Sequence, residues 1–101
     1  MKKVRLTEEE LIAIKSVAKE IFGEDVSVWI FGSRANLNAK GGDIDIYIEV
    51  ENKPTDVNNH IKFLSRLKLL IEDQKIDVII KKKGCKESIC LEAKEKGVRI
   101  L

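Results

Sequence analysis

Three aspartates and one glycine–serine turn are the residues of this chain whose types and spacing could do chemistry. Asp43 and Asp45 stand two apart in Asp43-Ile44-Asp45-Ile46. On a strand that spacing puts both carboxylates on one face, with Cα atoms roughly 6–7 Å apart. Carboxylate oxygens are hard donors that suit Mg²⁺, which keeps positions open for water and phosphate, and Mn²⁺ accepts the same donors. Such a pair can bridge two cations about 3.5–4 Å apart, one activating an attacking oxygen and the other steadying a leaving group. Asp77 interrupts the apolar run Ile76-Asp77-Val78-Ile79-Ile80. Strand propensity and burial both disfavour an aspartate there. It is therefore expected to be buried against a partner, either a metal or an arginine and backbone amides. If its strand lies beside that of Asp43 and Asp45, three carboxylates converge.

The second feature is Phe31-Gly32-Ser33-Arg34, where a strand turns toward a short helical segment. Gly32 lets the backbone approach a phosphate, and Ser33 offers a hydroxyl and a backbone N–H. Arg34 has two open readings, contact with phosphate or pairing with an acid. Each feature alone has a plain explanation: an ordinary turn, a solvated strand face, a satisfied aspartate. Together they could hold a triphosphate and its cations from two sides.

The elements that must position these residues are legible. Thr7 with Glu10 three residues on reads as a capping box, followed by the stripe Leu11, Ile14, Ala18 and Ile21 and a stop at Gly23. Val26 to Phe31 reads as a strand, Ser33 to Asn38 as a helical turn, and Lys40-Gly41-Gly42 as a loop. Asp43 to Val50 alternates Ile44, Ile46, Ile48 and Val50 against Asp43, Asp45, Tyr47 and Glu49. Asn52-Lys53-Pro54 reads as a turn and Thr55 as the cap of a helix to about Asp73, its stripe Val57, Ile61, Leu64, Leu67 or Leu69, and Ile71. Ile76 to Ile80 is nearly all apolar and is expected to be a central strand. Lys86 to Lys96 reads as a last helix with Ile89, Cys90 and Ala93 inward, before Gly97 and a short strand from Val98 to Leu101. The order α-β-β-α-β-α-β predicts one α/β domain over residues 1–101, a small sheet flanked by helices.

The bulk properties narrow the function. A net charge of +2 argues against a general nucleic-acid binder, which carries a strong basic excess; contact with one strand or a tRNA stays open. Lys81, Lys82, Lys83 and Lys86 form a local basic cluster, read first as a solvated strand end and second as a surface for RNA or an acidic partner. His60 reads as a packed or surface histidine, Lys40 as a solvated loop lysine, and Trp29 as core. Cys85 and Cys90 lack the spacing of a zinc site. They are expected to be free thiols in a reducing cytoplasm, the alternative being a disulfide closing a short loop. No signal peptide or membrane-spanning run is expected.

Phe31-Gly32-Ser33-Arg34-Ala35, Gly42-Asp43-Ile44-Asp45-Ile46 and Ile76-Asp77-Val78 together resemble the DNA polymerase beta nucleotidyltransferase superfamily. More closely, the chain is similar to the minimal nucleotidyltransferases encoded beside HEPN-domain proteins. The resemblance implies the polymerase beta-like palm, a small mixed sheet with helices. It implies that Gly32 and Ser33 bind the triphosphate of ATP or another nucleoside triphosphate, with Arg34 beside them as the further candidate for that contact. Asp43, Asp45 and Asp77 would hold two Mg²⁺ ions, and Asp77 would also help deprotonate an acceptor hydroxyl. It further implies an antitoxin that neutralises a HEPN-type ribonuclease, by binding it or by moving AMP onto one of its tyrosines. Asn36 and Leu37 depart from the Arg-Gly of many minimal members, and Gly42 from their serine; neither change removes a metal ligand. Two other readings stand beside this one. The first is a binding module that acts by complex formation. The second is an aminoglycoside-type enzyme, which would need dimerisation to enclose its small acceptor.

Overall fold

The computed structural model describes residues 4–38, 42–51, 57–71 and 74–101. Lys40-Gly41, the turn at Asn52-Lys53-Pro54, the cap at Thr55 and the helix end at Asp73 lie outside the described residues. Thr7 opens helix α1 (Glu8–Phe22) as the sequence predicts. Its hydroxyl accepts the Glu10 N–H at 3.0 Å, and the Glu10 carboxylate accepts the Thr7 N–H at 2.8 Å. The helix stops at Gly23, whose N–H donates to the Lys19 carbonyl. Its buried face is Ala13, Ile14, Val17, Ala18 and Phe22, while Leu11 and Ile21 lie at the margins, half-buried. The expected stripe is thus right at Ile14 and Ala18 and slightly out of phase elsewhere.

Strand β1 (Ser27–Phe31) runs into a 3₁₀ turn (Gly32–Ala35), then β2 (Ile44–Val50), α2 (Val57–Leu70), β3 (Ile76–Lys82), α3 (Ser88–Lys96) and β4 (Val98–Arg99). The strands form one mixed sheet in the order β3-β2-β1-β4. β2 pairs parallel with β3, and β1 pairs antiparallel with β2 and with β4. Parallel neighbours need a crossover, which α2 provides. The alternation in β2 decides which face goes where. Ile44, Ile46, Ile48 and Val50 join Val28, Ile30, Ile76 and Val78 under α1 and α2, where Phe22 and Phe63 meet at 6.0 Å between ring centroids. The opposite face carries Trp29 and Tyr47 beneath Cys90 and Ala93 of α3. Trp29 is core as expected, tilted against Tyr47 at 5.5 Å with the Arg99 guanidinium over its ring.

Four expectations are corrected. β3 is a terminal strand of the described sheet, not a central one. Its apolar run reflects cover on both faces: Ile76 and Val78 face the α1/α2 core and Ile79 the cluster under α3. In α2, Phe63 and Leu67 are the buried anchors, whereas Val57, Ile61 and Leu69 are exposed. Apolar residues stand all round this helix, so their spacing does not fix its phase. Asp77 is exposed rather than buried. Cys85 and Cys90 are a disulfide, not free thiols, because the turn after β3 brings residue 85 beside the first turn of α3, with Cα atoms 6.0 Å apart. The thiol argument for a reducing compartment falls with them. Among the described residues, no helix is long and apolar enough to cross a membrane.

Helix α3 is fastened to the sheet by a buried charge pair. The Glu49 carboxylate, 3% exposed, accepts a hydrogen bond from the Tyr47 hydroxyl at 2.6 Å and meets the Lys94 ammonium at 2.7 Å. Burial, then the bond to Glu49 and the charges of Glu49 and Glu87, push the Tyr47 hydroxyl well above its usual pKa. It therefore stays a donor. A buried carboxylate without such partners would be costly.

Glu10 gives the fold a pH signature. Burial alone would raise its pKa, but the Thr7 N–H, the Gln74 amide, the Thr7 hydroxyl and the Arg34 charge outweigh it and hold the group below 4.5. A depressed carboxylate stabilises the fold above its unfolded pKa and loses that contribution as pH falls through the folded one. Urea unfolding should show Glu10→Gln about 1–2 kcal/mol less stable at pH 7. The variant's midpoint should also fall less steeply than the parent's below pH 4.5. Parallel pH profiles would contradict the assignment.

Candidate active site

The parallel register of β2 and β3 sets Asp45 directly beside Asp77, and the antiparallel register of β1 and β2 sets Phe31 on the other side of Asp45. Asp77, Asp45 and Phe31 therefore form one row across three strands, on the face that carries α3. Asp43 lies just before β2, half-buried, with the Lys75 ammonium 3.6 Å from its carboxylate. That pair is solvated and contributes little.

Gly32 ends β1 with φ +68°, a conformation that resists side chains, and an Asp45 carboxylate oxygen occupies the space a Cβ at position 32 would need. The glycine is thus required twice, by its dihedral and by the carboxylate against it. Gly42 shows the same pairing: its φ is +90° and the Ser33 hydroxyl fills the place of its missing side chain. This accounts for glycine before Asp43.

Asp45 feels its neighbours. Burial, then the charges of Asp77 and Asp43, raise its pKa, against a smaller opposing pull from Lys75. The aspartates do not collapse into one knot of oxygens. Among the described residues, the group whose ligand atoms all lie within 4.8 Å of one another is Cys85, Glu87 and Cys90, not Asp43, Asp45 and Asp77.

Arg34, together with Arg5 and Gln74, neither of which stood out in the sequence, holds the turn in place. Arg34 donates to the Arg5 carbonyl at 2.8 Å, the Gly42 carbonyl at 3.3 Å and the Gln74 side chain at 3.0 Å. Gln74 in turn donates to Glu10, the carboxylate of the α1 capping box. Arg5 donates from its backbone to the Arg34 carbonyl at 2.7 Å, and from its guanidinium to the carbonyls of Asn36 and Ser33. Arg5 therefore clamps the carbonyls in and just after the 3₁₀ turn, and Arg34 ties the turn to the segment before α1, to Gln74 and to Gly42 just before β2. No local pattern around Arg5 or Gln74 marks either for this role. In the lysine cluster, Lys81 pairs with Glu87 at 3.0 Å and Lys83 with Glu51 at 3.7 Å, so much of its charge is locally met.

Residues 6–101 match the family model described as Polymerase beta, Nucleotidyltransferase. Among solved structures, the chain is similar to a candidate nucleotidyltransferase from Sulfolobus solfataricus at 27% identity, with a TM-score of 0.45. The match covers 90% of this chain and 80% of that one. Among curated proteins, none matches.

The clamp is testable apart from activity. Arg34→Lys keeps the charge but cannot fork to three acceptors. It should lower stability by about 1–3 kcal/mol in chemical unfolding and speed amide exchange at residues 32–36. Stability and exchange equal to the parent's would show that the guanidinium does not hold the turn.

Proposed function

Since this chain belongs to the polymerase beta nucleotidyltransferase family, we propose that it moves AMP from ATP onto an acceptor hydroxyl, with Asp43, Asp45 and Asp77 as the Mg²⁺ ligands. The observation that supports this best is the register that places Asp45 between Asp77 and the Gly32 backbone. The donor set fits the ion: it is all carboxylate oxygen, and Asp45 is held in a field of like charges that a divalent cation would reverse. When bound, the metal supplies charge to the phosphates and to the leaving group.

The chain's own groups then have distinct tasks. The backbone N–H groups of Gly32 and Ser33 and the Ser33 hydroxyl receive the triphosphate. Arg34, whose donors already face the Arg5 and Gly42 carbonyls and Gln74, serves by holding that turn. Asp77, exposed at the end of the sheet, is reachable by an acceptor and takes its proton. The acceptor oxygen bonds to the α-phosphorus, the bond to the bridging oxygen breaks, and pyrophosphate leaves.

The acceptor we propose is a hydroxyl on a HEPN-type partner protein, with this chain as its antitoxin. One observation favours a second reading, neutralisation by binding alone: α2 leaves Val57 (71%), Ile61 (55%), Leu69 (81%) and Leu70 (59%) exposed. Apolar side chains displayed along one helix suit a protein partner.

Incubation with Mg²⁺, ATP labelled at the α-phosphate and a HEPN-type protein encoded beside this chain should label that protein. Asp45→Asn should cut labelling more than about 100-fold, beyond the loss seen for outer-shell changes at metal sites. The same variant should be at least as stable as the parent at neutral pH. A carboxyl whose folded pKa is raised weakens the fold as pH rises through that value. Undiminished labelling by Asp45→Asn would sink the mechanism. A stable complex without label would favour the binding reading.

A further inference from the structure

We propose that the cavity between the 3₁₀ turn and α3 is the nucleoside subsite, with Phe31 as the platform on which the base of the triphosphate stacks. This rests on the phosphate-transfer reading given above and extends it to the rest of the substrate. The cavity encloses about 440 Å³, within the range of small-molecule sites. It shares Gly32 with the turn, so it begins where the triphosphate would end.

The sheet register gives the direction. Phe31 pairs with Asp45, and Asp45 with Asp77, so all three side chains stand at one level on one face. Neighbouring strands lie about 4.8 Å apart. A nucleotide with its phosphates at Gly32 and the carboxylates can therefore lay its base along the next strand without crossing the sheet.

The lining suits a nucleoside better than a further phosphate. Phe31, Ala35 and Ile89 supply apolar surface for the flat faces of a base. Asn36, Glu92 and Lys96 add an amide, a carboxylate and an ammonium, which can meet a base edge and ribose hydroxyls. Glu92 and Lys96 pair at 3.6 Å, so the cavity carries no excess positive charge to draw an anion away from the turn. Its α3 wall is also preformed: the buried Glu49–Lys94 pair and the Cys85–Cys90 disulfide fix that helix to the sheet. A preformed wall lowers the ordering cost of binding.

Calorimetric titration of the intact chain with Mg²⁺-ATP and with Mg²⁺-tripolyphosphate separates the two parts of the site. The subsite predicts ATP binding at least about tenfold tighter than tripolyphosphate, as stacking of one base allows. Ile89→Trp, which fills the cavity from α3, should bring that ratio to about one. Asn36→Ala, at the exposed rim, should lower it severalfold and decides alone if the tryptophan variant does not fold. Tripolyphosphate affinity is the internal control in each. Equal affinities in the parent, or a ratio that survives these substitutions, would overturn the subsite and leave the triphosphate reading standing. Binding of neither ligand would overturn both.

Discussion

Parallel pairing of β2 with β3 is the constraint on which the candidate site depends, because side chains alternate faces along a strand. A slip of one residue would set Asp45 beside Ile76 or Val78 and would carry a whole apolar set from the core to the open face. The register is not held by the acids, which repel one another. It is held from the other side of the sheet, where Ile44, Ile46 and Ile48 pack with Ile76 and Val78 under α1 and α2. Burial of a branched aliphatic side chain stabilises by roughly 1.5–3 kcal/mol, and several act together here. The core thus compels the juxtaposition of Asp45 and Asp77 that solvent and charge would oppose. Gly32 completes the constraint by giving the Asp45 carboxylate room against the turn.

What was legible in the sequence was what short-range physics decides. The capping box at Thr7 and Glu10, the stop at Gly23 and the two-residue alternation of β2 are local signals, and each appears in the structure. The expectation that Asp77 would stand beside Asp45 was conditional on strand order, and that order holds. The misreadings have a common source. An apolar run reports how many faces of a strand are covered, not how many neighbours it has, so β3 looked central and is terminal. Helical spacing reports a face only when polar residues fill the other, so α2 hid Phe63 behind Val57 and Ile61. Arg5 and Gln74 depend on where separate segments meet, and nothing within either segment encodes that; the Cys85–Cys90 pairing is local, five residues apart, and was the alternative weighed below free thiols.

Helix α3 stands apart from the other helices in how it is held. α1 and α2 pack through aliphatic and aromatic surface. α3 contributes Cys90 and Ala93 to a smaller cluster and adds a buried ion pair and a covalent link at its start. A helix with so small an apolar face would dock loosely by packing alone. Lys94 and Glu49 fix its angle, since the pair keeps its favourable energy only in one geometry. The wall beside Phe31 is consequently set by polar contacts as well as by packing.

The terminal position of β3 has a consequence outside catalysis. A strand at the end of a sheet offers a row of backbone groups to any other strand that approaches, and charged side chains are a common defence against growth of the sheet from one molecule into the next. β3 carries Lys81 and Lys82 at one end and the exposed Asp77 at the other. Between them lie Val78, Ile79 and Ile80, three apolar residues of high strand propensity. Asp77, exposed near one end of this strand, is the kind of side chain that discourages such pairing, apart from any part it has in the site.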